Sequence, residues 1–138
     1  MTGGGAKVIG LEKLHQRFRA AAAQERRKVL QTLSDIGNIA VKEAVDRAPI
    51  DMGTLTHDIE KSVQVDNNNL PGVVIRVPLN APSSDYAVSM HEDEYNLGPR
   101  SKKKAARTGK QIGRKYITRG IDASKSKVEF LVKTRHKI

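Results

Sequence analysis

The feature that most restricts the fold is a long apolar stripe at helical spacing. Leu11, Leu14, Phe18, Ala22, Val29, Leu33, Ile36, Ala40 and Ala44 succeed one another at steps of three or four, with one step of seven between Ala22 and Val29. With 3.6 residues per turn, such steps bring side chains to one side of an α-helix. Ala20 to Ala23 favour the helix intrinsically, and Gln24-Glu25-Arg26-Arg27-Lys28 forms a solvated polar turn. Pro49 ends the pattern. A helix over about residues 10–49 is therefore expected, with Gly37 as a candidate bend and Gln24 as a candidate break. Ahead of it, Gly3-Gly4-Gly5 marks a flexible arm over residues 1–10.

Beyond Pro49 the period changes. Asp51 and Gly53 are turn residues, and Thr54 can cap one short helical turn that carries Leu55 and Ile59. Ser62-Val63-Gln64-Val65-Asp66 alternates as a strand does. The cluster Asn67-Asn68-Asn69-Leu70-Pro71-Gly72 is a turn, and Val73-Val74-Ile75-Arg76-Val77 is a β-branched second strand, so the two make a hairpin. After a proline-containing loop, Tyr86-Ala87-Val88-Ser89-Met90-His91 alternates again and suggests a third strand. Residues 96–115 are polar and basic and are expected to be a loop. From Arg114, Ile117, Ile121, Ser124, Val128 and Leu131 recur at helical steps. Val128, Phe130 and Val132 also alternate, so residues 128–136 fit either helix or strand, with helix favoured. The expected architecture is a single α+β domain over residues 11–138. It has a long N-terminal helix, a small antiparallel sheet of three to four strands, and a C-terminal helix packed on that sheet.

Charge is distributed in blocks. Residues 1–48 hold 9 basic and 5 acidic side chains, residues 49–99 hold 2 and 8, and residues 100–138 hold 14 and 2. An acidic middle and a strongly basic last third suit contact with a polyanion, or head-to-tail contact between copies. The basic loop contributes Arg100, Lys102, Lys103, Lys104, Arg107, Lys110, Arg114 and Lys115. Aromatic residues make up only 4% of the chain, so stacking on bases is a poor basis for recognition and attraction to a phosphate backbone is a better one. The competing reading pairs this loop with the acidic block of a neighbouring subunit.

Several chemistries are disfavoured. The chain has no cysteine, which removes thiolate metal sites, disulfides and cysteine nucleophiles. Its four histidines form no zinc-spaced pair, no serine sits in a G-x-S-x-G elbow, and Gly109-Lys110-Gln111-Ile112-Gly113-Arg114-Lys115 lacks the spacing of a phosphate loop. His91-Glu92-Asp93-Glu94 is the one acidic cluster with a histidine, and a divalent-metal nuclease could use His91, Glu92 and Asp93. Adjacent side chains on an extended segment diverge, however, so a polar loop is the plainer reading. Asp51, Asp58 and Glu60 likewise read as turn and helix-start acids. No catalytic residue, metal or cofactor is expected. No stretch of 18 apolar residues occurs, so no membrane contact is expected, and the N-terminus lacks the apolar centre of a signal peptide.

Three stretches, in order, resemble the neck or tail-completion proteins of long-tailed bacteriophages, the gene-product-ten-like family. Ala48-Pro49-Ile50-Asp51-Met52-Gly53-Thr54-Leu55 is similar to the A-P-x-x-x-G-x-L turn that ends that family's long helix. Its candidate positions are Pro49, Asp51, Gly53 and Leu55. Tyr86-Ala87-Val88-Ser89-Met90-His91-Glu92 is similar to a Y-A-x-x-x-H-E strand end, with Tyr86, Ala87, His91 and Glu92 as its candidate positions. Gly113-Arg114-Lys115-Tyr116-Ile117-Thr118-Arg119-Gly120-Ile121 is similar to the G-x-K-F-L-x-x-A start of the last helix. The match spans roughly residues 11–135 and departs from the pattern at Gly120 and in the length of the basic loop.

The resemblance implies a non-enzymatic virion protein, assembled in the host cytoplasm. It would form a homo-oligomeric ring of six or twelve copies in the neck, between the portal and the tail tube. Implied partners are portal, adaptor or stopper proteins on one side, tail terminator or tube proteins on the other, and double-stranded DNA in the channel. The alternative is a cytoplasmic DNA-binding protein without sequence preference.

Overall fold

The computed structural model describes residues 2–50 and 54–136, with side chains described over 13–50 and 55–136. Among the described residues seven elements occur in order: α1 (Thr2–Arg47), α2 (Thr54–Asp58), β1 (Glu60–Val65), β2 (Pro71–Arg76), α3 (Ser84–Glu92), α4 (Pro99–Thr108) and α5 (Tyr116–His136). The expected arm at residues 1–10 falls where no side chain is described, and Asp51 and Gly53 of the expected turn lie outside the described residues. The chain divides into two compact units, Met1–Gln31 and Thr32–Ile138.

The first unit is helical, and every side chain from 13 to 28 is exposed. The second holds the buried core: Ala44 and Ala48 of α1, Leu55 of α2, Ile59, Ala87 of α3 and Tyr116 of α5, with Val41, Val45, Ile75, Val77, Tyr86, Met90 and Ile117 packed around them. Leu55 and Ile59 are buried as the short-turn reading requires.

Gly37, the candidate bend, does not end α1. It lies within the helix, and a Cβ there would stand 2.8 Å from the Lys61 side chain and 2.9 Å from Val73 Cγ2, so the missing side chain admits the hairpin. Helix α5 runs antiparallel to the end of α1, because its early residues meet late ones of α1 and the reverse. Gly120 lies against Ala44, Lys127 reaches Glu43, Arg135 reaches Asp35, and the His136 ring bonds Thr32 Oγ1 at 2.9 Å. A Cβ on Gly120 would stand 2.6 Å from the Ala44 backbone nitrogen. Glycine suits this position because the two helix backbones touch.

The hairpin forms in the register Glu60↔Arg76, Val63↔Val73 and Val65↔Pro71. Its turn is closed by Asp66, whose Oδ1 accepts from the Asn68 and Leu70 nitrogens, with Asn69 at a φ of 62°. The sheet has these two strands only, among the described residues, which corrects the expectation of three to four. The expected third strand, Tyr86 to His91, is helix α3. A helix directs Tyr86, Ala87 and Met90 toward the core together, whereas a strand would turn Ala87 away from Tyr86 and Met90.

The basic segment 96–115 is not a loop throughout, since α4 occupies its middle. Pro99 stands at the first turn, where a missing N–H costs nothing, and Gly109 closes the helix at φ 68° with its N–H on Ala105 O. Residues 128–136 are helical. Val128 and Val132 are partly buried one turn apart, while Phe130 between them faces outward.

Candidate functional site

The eight basic residues of the 96–115 segment separate into two groups according to what α4 does with them. Its inner face carries Ser101, Lys104 and Thr108 at helical steps and docks on the end of α1. Ser101 Oγ accepts from Ile50 N at 2.8 Å and donates to Ile50 O at 3.2 Å. The Lys104 ammonium is buried and donates to Val45 O and, at 2.7 Å, to Ala48 O. These carbonyls lie at the C-terminal end of α1, where backbone acceptors lack helical partners and a cation is favoured. Burial pulls the Lys104 pKa below the ordinary lysine value, the Asp46 charge opposes that shift, and Arg107 adds to it.

Three more cations are held within the fold. Lys110 donates to Asp46 at 2.8 Å, which raises its pKa, and lies 3.6 Å from Glu43. Arg114 Nε donates to Glu92 O, and Lys115 pairs with the Glu92 carboxylate. Hydrogen bonding from Lys115, then from His91, lowers the Glu92 pKa.

The remaining four, Arg100, Lys102, Lys103 and Arg107, are exposed on the outer side of α4 and have no ion-pair partner among the described residues. No acidic residue occurs in α4. Arg100, Lys103 and Arg107 line one side of a cleft of about 420 Å³ over Ile50. This face can attract phosphates and offers no aromatic surface on which a base could stack.

The three sequence motifs, distant along the chain, meet in one place. Pro49 is buried beside Ala48, and Leu55, Ala87 and Tyr116 share the same core. The Tyr116 hydroxyl donates to Ala87 O at 2.9 Å, the Lys115 nitrogen to His91 O at 2.6 Å, and the Gly113 nitrogen to Arg47 O at 2.8 Å. The His91 ring stands edge-on to Tyr116, with centroids 5.0 Å apart. Burial, then the neighbouring Tyr95 and Tyr86, pushes the Tyr116 pKa up to about 12. These contacts join α1, α3 and α5, so the motif residues are the joints of the fold.

The acidic clusters are also held apart. Asp58 Oδ2 accepts from Ser83 N ahead of α3, and Glu60 pairs across the hairpin with Arg76. His91 Nδ1 bonds Glu92 at 3.0 Å, and Asp93 caps α3 through its backbone N–H to Ser89 O. Among the described residues, no three His, Asp or Glu side chains converge to hold a metal ion, and no helix is long and apolar enough to cross a membrane.

Sequence reasoning missed α4, and with it the buried role of Lys104. The signals were Pro99 and Gly109 ten positions apart, with Ser101, Lys104, Ala105 and Thr108 on one helical side. Comparison with family models, with curated proteins and with solved structures finds no significant match to this chain.

Proposed function

We propose that this chain is a structural virion protein, one of six or twelve copies forming a ring between the portal and the tail tube of a long-tailed phage. The observation that carries the reading is the convergence of the three motifs into one joint around Tyr116. Residues that resemble the gene-product-ten-like pattern in sequence also hold the long helix, the α3 segment and the last helix together. The surface supports assembly: Leu79, Val88 and Phe130 are large, apolar and exposed, while the core holds few large side chains. The chain acts as a binder rather than a catalyst. The outer face of α4, with Arg100, Lys102, Lys103 and Arg107, faces the DNA that passes through the ring and screens its phosphates without reading sequence.

Native mass measurement of the purified protein, alone and with the portal-side and tail-side proteins of the same virus, tests this. A closed species of six or twelve copies is expected. A protein that stays monomeric under both conditions, in a virus whose heads still join tails without it, overturns the proposal. The four unpaired α4 cations also support a second reading, a monomeric DNA-binding protein without sequence preference. That reading predicts binding by the free monomer with no assembled species.

A further inference from the structure

The Met1–Gln31 unit has a helix and no buried side chain among those described, so Leu14 and Phe18 are left uncovered by the described residues of the unit. Phe18 is 64% exposed and Leu14, one turn earlier, 44%. Arg17 and Arg19 flank this pair, one on each side of the stripe, and residues 13–28 hold six basic side chains against the single acid Glu25. A helix of this kind gains most of its stability by packing an apolar face on something else.

The Thr32–Ile138 unit carries an open apolar cleft of about 290 Å³ between the segment after β2, helix α3 and the start of α5. Leu79, 96% exposed, and Val88, 71% exposed, stand at its mouth, and Ala87 and Ile117 line it further in. Asp85 and Glu92 lie on the same side of α3 as Val88, three residues before it and four after, and Asp93 and Glu94 come next. Asp85, Asp93 and Glu94 have no ion-pair partner among the described residues; Lys115, paired with the Glu92 carboxylate, and Arg114, bonded to the Glu92 carbonyl, adjoin the cleft's lining at its Glu92 end.

We infer that residues 13–28 of one copy dock in this cleft on a second copy. Phe18 and Leu14 enter between Leu79 and Val88, and Arg17 and Arg19 meet the acidic rim. The arm and the cleft are different surfaces of one molecule, so the contact is head-to-tail and propagates from copy to copy until a ring closes. It is a helix-in-groove contact with an aromatic anchor. The inference rests on the ring reading and specifies its subunit contact.

Because the chain contains no cysteine, single cysteines report this contact cleanly. Phe18→Cys and Val88→Cys replace exposed side chains, so both variants should fold. Mixed under mild oxidation, the two single variants should give a covalent heterodimer, while neither alone dimerises. The F18C/V88C double variant should give a ladder of covalent multimers that stops at the copy number of the ring. Arg17→Glu with Arg19→Glu should cut heterodimer yield by roughly tenfold, and Asp85→Lys should restore part of it. Cross-linking of the double variant within one chain, self-dimerisation of F18C alone, or no cross-link overturns the inference. If native mass still gives a ring while these cross-links fail, only the arm assignment falls. If the protein is monomeric as well, the ring reading falls with it.

Discussion

Two residues concentrate the energetics of the α1–α5 contact. The buried Glu43 carboxylate accepts from Lys127 at 2.7 Å and Arg47 at 2.6 Å. The Lys127 hydrogen bond lowers its pKa most; burial opposes the shift, and Arg47 and Lys110 add to it, leaving about 2 against an ordinary 4.5. The folded state thus binds a proton less readily than the unfolded chain. The stability from Glu43 is complete above about pH 4.5 and is lost as pH falls toward 2. Glu43→Gln should cost roughly 2 kcal/mol at neutral pH and flatten the acid limb of a stability-against-pH curve measured by urea unfolding. At Gly120 two effects oppose. Alanine gains about 1 kcal/mol of helix propensity, but its Cβ would overlap the Ala44 backbone. Backbone cannot move aside as a flexible side chain does, so Gly120→Ala should lower the melting temperature, by a net loss of about 1–2 kcal/mol. From sequence, Gly120 was only a departure from a pattern, since its reason lies on another helix.

At the scale of elements, α4 has two faces with separable roles. Lys104→Met should lose about 2 kcal/mol in urea unfolding, because it leaves Val45 O and Ala48 O without their donor. Replacing Arg100, Lys102, Lys103 and Arg107 together by glutamine should leave stability within about 0.5 kcal/mol, since all four are exposed. The same variant should lose most DNA affinity, and the slope of log K against log salt should shrink by about 3 to 4. An unchanged slope would mean that this face meets no phosphate. The long helix, the short turn with Leu55 and Ile59, the hairpin and the last helix were all legible in the chain, because each has a period or a turn signature of its own. Helix α3 was not, because six residues with Tyr86, Val88 and Met90 satisfy alternation as well as helical spacing. Helix α4 was hidden by its lysines, which read as solvated although one of them is buried.

For the whole molecule, the division of charge and the shortage of buried surface point the same way. Phe18, Leu79, Val88 and Phe130 are exposed in the single chain, and on the proposed ring reading neighbouring copies would cover them and add stability. The melting temperature should therefore rise with protein concentration, by mass action, and Val88→Asp should abolish that dependence while leaving the low-concentration value nearly unchanged. A concentration-independent melting temperature in the unaltered protein would place its stability within the single chain. The candidate site was partly legible at this scale. Eight cations in one segment announced a positive field, but which four remain available depends on where Glu43, Asp46, Glu92 and the end of α1 come to lie.

The amino-acid order alone determined the long periodic elements, the hairpin through its asparagine-rich turn, and the sign of the charge along the chain, since these depend on neighbours a few positions apart. Only the tertiary structure decided that the sheet has two strands among the described residues, that Gly37 and Gly120 mark close approaches, and that Lys104 is a buried cap rather than a surface cation. Each of those outcomes requires residues some twenty to eighty positions apart to occupy the same space, and no local pattern encodes that.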